Sequence, residues 1–252
     1  MMNPHPNSLS GIDRQVLVDR VYDSSQEANE VRWRLILSQD DAPLGGHRFD
    51  SERLMHRVRL RPPSRGHGTV SHFTEWIYGL YGIAKRPGAL TRGIAAEALI
   101  DKARIPGPRS SDWELIHCGL HLSEQTATAL PRKDFLSSSL SIAGRPLKAN
   151  PDYVFKRRDA EGTSTYIIVE VKYTSTPIPA NLWPNVRAQL WAYGQIDDFA
   201  SASEVVLVGE VWGGRRLPGL RRSVTWLRSE QQLDAESSQL FAAYRLGVEG
   251  RR

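Results

Sequence analysis

Cysteine is nearly absent from this chain, since Cys118 is the only one in 252 residues. That excludes a disulfide framework and, within one chain, a cysteine-held zinc or iron–sulfur cluster. No apolar run is long enough to cross a bilayer, and the opening stretch, Met1-Met2-Asn3-Pro4-His5-Pro6, lacks the basic and apolar regions of a secretory signal. A cytoplasmic location is the resulting expectation. Lysine is scarce too: Lys85, Lys102, Lys133, Lys148, Lys156 and Lys172 are the only ones, so most of the 33 basic residues are arginine. Such a bias fits a GC-rich genome, and guanidinium also suits bidentate phosphate contacts. With so few lysines, the placement of each one carries weight.

What is present fits one substantial core with an appendage. Hydrophobic content of 40% and charged content of 24% are those of an ordinary globular protein of this length. The formal charge of +5 and pI near 9.5 suit a polyanion partner without demanding one. Residues 1–64 mix polar segments with two short alternating runs, Val31 to Leu37 and Leu54 to Leu60, which predict a small β-containing N-terminal extension. Its arginines either meet nucleic acid or face water. The stretch Arg61-Pro62-Pro63-Ser64-Arg65-Gly66-His67-Gly68 is rich in breakers and marks a boundary, with the main domain over 65–252. A helix capped by Ser71 is expected through Tyr81, and a second from about Leu90 to Ala103.

Glu97 is the only charge in the run Ile94 to Ile100 and shares a helical face with Leu90 and Ile94. A carboxylate on an inward face is costly unless paired or bound to a metal. The alternatives are a place at the edge of the stripe, or a pair with Arg92 or Arg104. Downstream, Glu114 to Leu122 and Ser139 to Leu147 read as strands. His117, Cys118 and His121 lie near one another in sequence, but their spacing matches no standard zinc site. On a strand the two histidines would be nearly two pleats apart, so packing or hydrogen bonding is expected of them.

The chemistry concentrates after residue 150. Asn150-Pro151-Asp152 opens a strand, Arg157 to Gly162 turns, and Thr165 to Tyr173 returns. On the return strand Tyr166, Ile168, Glu170 and Lys172 share one face, and Ile167, Val169 and Val171 share the other. A hairpin can bring Asp152 opposite the Glu170 and Lys172 pair. Two carboxylates so placed are the hard oxygen ligands that Mg²⁺ prefers, with Mn²⁺ an acceptable substitute. Such a metal polarises a phosphate and acidifies a bound water, and a neighbouring ammonium orients that water or stabilises developing charge. An ordinary hairpin with exposed polar residues would carry the same letters. The following helix adds Pro184 in its first turn, an apolar stripe at Val186 and Leu190, and Gln189 stacked one turn from Tyr193.

Through Pro151-Asp152, Glu170-Val171-Lys172 and Gln189-x-x-x-Tyr193, the chain resembles the PD-(D/E)xK nuclease superfamily, in particular its RecB-type branch, over about Leu90 to Trp226. The resemblance implies an α/β, restriction-endonuclease-like core with a mixed central β-sheet flanked by helices. It also implies Asp152, Glu170 and the Val171 carbonyl as metal ligands, with Glu97 matching a carboxylate on the preceding helix. Lys172 would assist the attacking water, and Gln189 and Tyr193 would organise the site and contact substrate. Asn150 departs from the pattern, because relatives often have glycine before the aspartate. Some relatives carry a four-cysteine iron–sulfur cluster that Cys118 alone cannot supply.

The implied activity is Mg²⁺-dependent hydrolysis of DNA phosphodiesters, as an exonuclease or end-processing enzyme in repair, recombination or phage defence. A restriction-type endonuclease is the other enzymatic reading. A non-catalytic DNA-binding assembly subunit, acting with protein partners or as a homo-oligomer, is the third. Beyond the motif helix, Glu204 to Trp212 and Arg222 to Leu227 predict strands, and Asp234 to Leu246 a helix. In the intervening turn Arg215 and Arg216 are candidate contacts to a DNA backbone, with a solvated hairpin tip as the plainer reading.

Overall fold

The structure is a computed structural model that describes Pro63 and residues 68–80, 89–103, 113–120, 134–158, 162–174, 178–179, 181–214, 218–229 and 231–249. The expected N-terminal extension, His121 and the Arg215-Arg216 turn lie outside them.

The described chain runs α1 (Val70–Leu80), α2 (Ala89–Ala103), β1 (Glu114–Cys118), β2 (Phe135–Ile142), β3 (Arg145–Ala149), β4 (Tyr153–Arg158), β5 (Ser164–Tyr173), α3 (Pro184–Gly194), β6 (Glu204–Gly213), β7 (Gly219–Leu227) and α4 (Gln231–Glu249). Five strands form a central sheet in the order β1-β4-β5-β6-β7. Only β5 and β6 pair in parallel, joined through α3; the other pairings are antiparallel, so the sheet is mixed. The α/β fold with a mixed sheet flanked by helices is therefore as expected.

Strand alternation divides the core into two. Val154, Tyr166, Ile168, Leu207, Val211, Val224 and Trp226 face a layer made by α1, α3, α4 and the β2–β3 hairpin. Tyr153, Phe155, Ile167, Val169, Val171, Val206 and Val208 face the opposite side, where Ala96 and Ile100 of α2 pack. The β5 and β6 segments read as continuous apolar runs because both faces are covered. Along β5 the split between 166 and 168 on one side and 167, 169 and 171 on the other follows the period of two.

Several boundaries differ from the sequence reading. Thr69, not Ser71, caps α1: its hydroxyl accepts the amide of His72 at 3.2 Å. The expected strand from Ser139 to Leu147 is in fact the junction of a hairpin, β2–β3, which forms its own two-stranded sheet. Its turn residues Ala143 (φ 50°) and Gly144 (φ 74°) both have positive φ, as a two-residue hairpin of the I′ kind requires. Alanine is an uncommon choice there, so the turn gives little signal in the sequence. Glu249 of α4 compensates by accepting the Ala143 amide at 2.7 Å.

Helix α2 also differs. Among its described side chains Ala96 and Ile100 are buried, whereas Ile94 and Leu99 are exposed. The expected inward face at Ile94 and Glu97 is therefore rotated: Ile94 is exposed and Glu97 is half-buried, while the side chain of Leu90 lies outside the described residues. Apolar residues are scattered around the helix among Arg92, Glu97, Asp101 and Lys102, and such a pattern points weakly in any one direction. Among the described residues no helix is long and apolar enough to cross a membrane.

Candidate active site

The strand ends place the acidic residues. β4 and β5 pair with Tyr153 opposite Val169, so Asp152, one step before β4, falls opposite Glu170. The Asp152 carboxylate is then fixed by the sheet itself: the amide of Val171 donates to its Oδ2 at 2.6 Å. Glu170 is 2% exposed and faces the α3 layer, and Lys172, two residues on, follows it on the same face. The Lys172 ammonium donates to Glu170 Oε1 as an ion pair. The second carboxylate oxygen, Glu170 Oε2, is buried and has no hydrogen-bond partner.

The electrostatics are those of a site short of positive charge. Burial, followed by the negative charge of Glu170, holds the Asp152 carboxyl well above its ordinary pKa, and Lys172 and the Val171 amide offset this only in part. Burial lowers the Lys172 pKa, but Glu170, Asp152 and, least, Glu97 together outweigh it, so the net shift is upward. Lys172 is thus held as an ammonium. It can donate a hydrogen bond or stabilise an anion, but it is poorly suited to remove a proton.

Helix α3 supplies the roof. Its Val186 and Leu190 are buried as expected, and Gln189 and Tyr193 are buried with them. Gln189 Nε2 donates to the Tyr193 hydroxyl at 2.7 Å, and that hydroxyl donates to the backbone oxygen of Asn150 at 3.3 Å. Burial first, then the charges of Glu170 and Asp152, push the phenol well above its ordinary pKa, which preserves it as a donor. The pair therefore organises the turn that carries Asp152. At 7% and 1% exposure, Gln189 and Tyr193 lie behind the carboxylates rather than on an open surface.

Close approach of α3 depends on Gly209, the residue beside Glu170 in the parallel β5–β6 register. A Cβ there would stand 2.4 Å from Leu182 Cδ1 and 3.1 Å from Leu190 Cδ1. Leu182 itself has φ of 55°, a strained value for a branched residue. Arg187 steadies it by donating to the Leu182 and Asn181 carbonyls at 2.9 and 3.1 Å while pairing with Glu236 of α4 at 2.6 Å. None of these supports was singled out from the sequence, because each joins residues from different elements.

The hard-oxygen donors suit a divalent cation. Two adjacent carboxylates, one with an unsatisfied buried oxygen and one whose pKa is raised by burial and then by the other's charge, are what a Mg²⁺ or Mn²⁺ ion would relieve. Among the described residues no group of three or more His, Cys, Asp or Glu side chains is preassembled as a metal cage. Glu97 acts on Asp152 and Lys172 through its charge but is not gathered with them into a ligand set. His117 is buried and hydrogen-bonded to Asn150, as the packing reading expected. Glu210, fully buried in register with Val171, faces the α2 side, where its Oε2 accepts from Trp212 Nε1 at 2.9 Å.

No protein-family model matches this chain, and no curated protein matches it. Among solved structures, the crystal structure of SSO0001 aligns with 90% of this chain and 88% of that chain at 12% identity, with a TM-score of 0.33. Likeness at that level carries no argument about function.

Proposed function

We propose that this chain is a divalent-metal-dependent DNA nuclease that hydrolyses phosphodiester bonds, acting as an exonuclease or end-processing enzyme. The observation that supports this most directly is the pairing of Asp152 with Glu170 at adjacent strand ends, with Lys172 bonded to one of them and Glu170 Oε2 buried without a partner. Asp152 and Glu170, with the Val171 carbonyl that the family resemblance adds, would hold Mg²⁺. The ion when bound supplies Lewis-acid polarisation of the phosphate and a more acidic water.

The protein's own groups have separable roles in this reading. The Val171 amide orients the Asp152 carboxylate. Lys172, kept protonated by its acidic neighbours, donates toward the oxygen that gains negative charge as the phosphate is attacked. Tyr193 and Gln189 fix the turn before Asp152, so that the carboxylate is placed before substrate arrives. The net charge of +5 favours a polyanionic substrate at long range. Biological role within repair, recombination or phage defence follows from substrate choice rather than from this chemistry.

The purified chain with Mg²⁺ is expected to degrade DNA, with Asp152→Ala and Lys172→Ala each lowering the rate at least about a hundredfold while leaving the fold intact. Activity that survives both substitutions would sink the assignment. Linear and closed circular DNA, compared side by side, separate end-dependent trimming from the internal cleavage of a restriction-type enzyme. Binding of DNA without cleavage under Mg²⁺ or Mn²⁺ would instead support the assembly-subunit reading.

A further inference from the structure

Asn150 stands two residues before Asp152, and its exposed side chain has both polar ends engaged on β1 and the residue just past it. Its Oδ1 lies 3.1 Å from His117 Nε2, and its Nδ2 donates to the Gly119 carbonyl at 3.4 Å. The amide fits in one orientation only, because the flipped group would set Oδ1 against the Gly119 oxygen, acceptor to acceptor. That orientation makes His117 Nε2 the donor. The imidazole is itself immobilised, 0% exposed and with its ring edge-on to Phe135 at 4.9 Å.

The backbone completes the contact. Gly119 N donates to the Asp152 carbonyl at 2.9 Å, and a Cβ on Gly119 would stand 2.3 Å from the Pro151 oxygen, so only glycine permits this approach. From the other side Tyr193 holds the Asn150 carbonyl. The turn bearing Asp152 is thus gripped by β1 and its following residue on one flank and by α3 on the other. A glycine at 150, which the family resemblance would favour, could make neither side-chain bond.

We infer that His117 and Asn150 are positioning residues for Asp152, setting the angle at which Asp152 and Glu170 together accept a divalent cation. This rests on the proposed metal site. Side chains that orient a metal ligand from behind are worth about ten- to a hundredfold in metal affinity, which sets the size of effect to look for.

The test uses the full chain and Mn²⁺ alone as probe, followed by calorimetry and electron paramagnetic resonance. Asn150→Ala and His117→Leu are each expected to weaken Mn²⁺ binding about tenfold, measured well below the thermal midpoint of each variant. His117→Gln, whose amide nitrogen reaches the place of Nε2, is expected to recover most of the loss. Asn150 is exposed, so its variant keeps the experiment interpretable if the buried His117→Leu misfolds. Unchanged Mn²⁺ affinity in Asn150→Ala, with binding lost in Asp152→Ala, would overturn the positioning role and leave the metal site standing. Failure of the unaltered chain to bind Mn²⁺ would overturn the metal site, and the inference with it. Nitrogen-15 spectra give a reading without metal: a slowly exchanging His117 Nε2 proton is expected in the unaltered chain and lost in Asn150→Ala. Its absence from the unaltered chain would overturn the hydrogen bond itself.

Discussion

Asp152 is in electrostatic conflict with its surroundings while no cation is bound. Burial and the neighbouring Glu170 raise its folded-state pKa, so folding favours the neutral form of this group over the charged one. The sign of the linkage follows. Below the ordinary carboxylate value of about 4 the group is neutral in both states and costs nothing, and as pH rises toward the raised value the folded state loses stability relative to the unfolded one. Asp152→Asn removes that charge and keeps an oxygen to accept from Val171. In metal-free buffer at pH 7 the variant is expected to be more stable than its parent by about 1 kcal/mol. Urea unfolding at pH 7 and pH 4 checks this. A variant less stable at pH 7, or an advantage that persists at pH 4, would show that Asp152 is not under the strain described.

At the scale of elements, the seating of α3 on the sheet determines where Tyr193 meets the Asn150 turn. Gly209 is the notch that allows it, filled by Leu182, Leu190 and Val186. Gly209→Val would wedge helix and sheet apart, at a cost of about 1–3 kcal/mol for overpacking. It is expected to reduce the proposed nuclease activity beyond what the lost stability explains, because Tyr193 is carried away from the Asn150 carbonyl. Unfolding midpoints and rates measured on the same samples decide the matter: full activity at reduced stability would mean that the site tolerates movement of α3.

The elements also differ in how legible they were. The two faces of β5 and the Gln189-Tyr193 pair follow from periods of two and about 3.6, which any reader of the sequence can apply. The β2–β3 turn was hidden because Ala143 lacks the usual turn chemistry, and the orientation of α2 because its apolar residues surround it. The partnership of His117 with Asn150 spans 33 positions, and nothing local announces it. Sequence periodicity therefore placed Glu170 with Lys172 and Gln189 with Tyr193, whereas the contacts that surround them are products of tertiary packing.

For the whole molecule, the proposed metal site would link metal binding, proton binding and stability through the same pair of carboxylates. An ion that occupies the site only in the folded chain stabilises it by about 2.7 kcal/mol at a hundred times its dissociation constant. For a chain of this size that corresponds to roughly 5–10 °C in thermal midpoint. The ion must displace any proton held on Asp152, whose pKa is raised, so affinity is expected to increase with pH through the acid range and then level off. Thermal unfolding with and without Mg²⁺ at pH 5 and pH 8 tests both parts, with the larger upward shift expected at pH 8. Asp152→Asn is expected to lose the shift at both pH values while starting from a higher metal-free midpoint at pH 8. A Mg²⁺ effect of equal size in that variant would place the ion elsewhere in the molecule, because a bound divalent cation at this site cannot be indifferent to the charge of the residue just before β4.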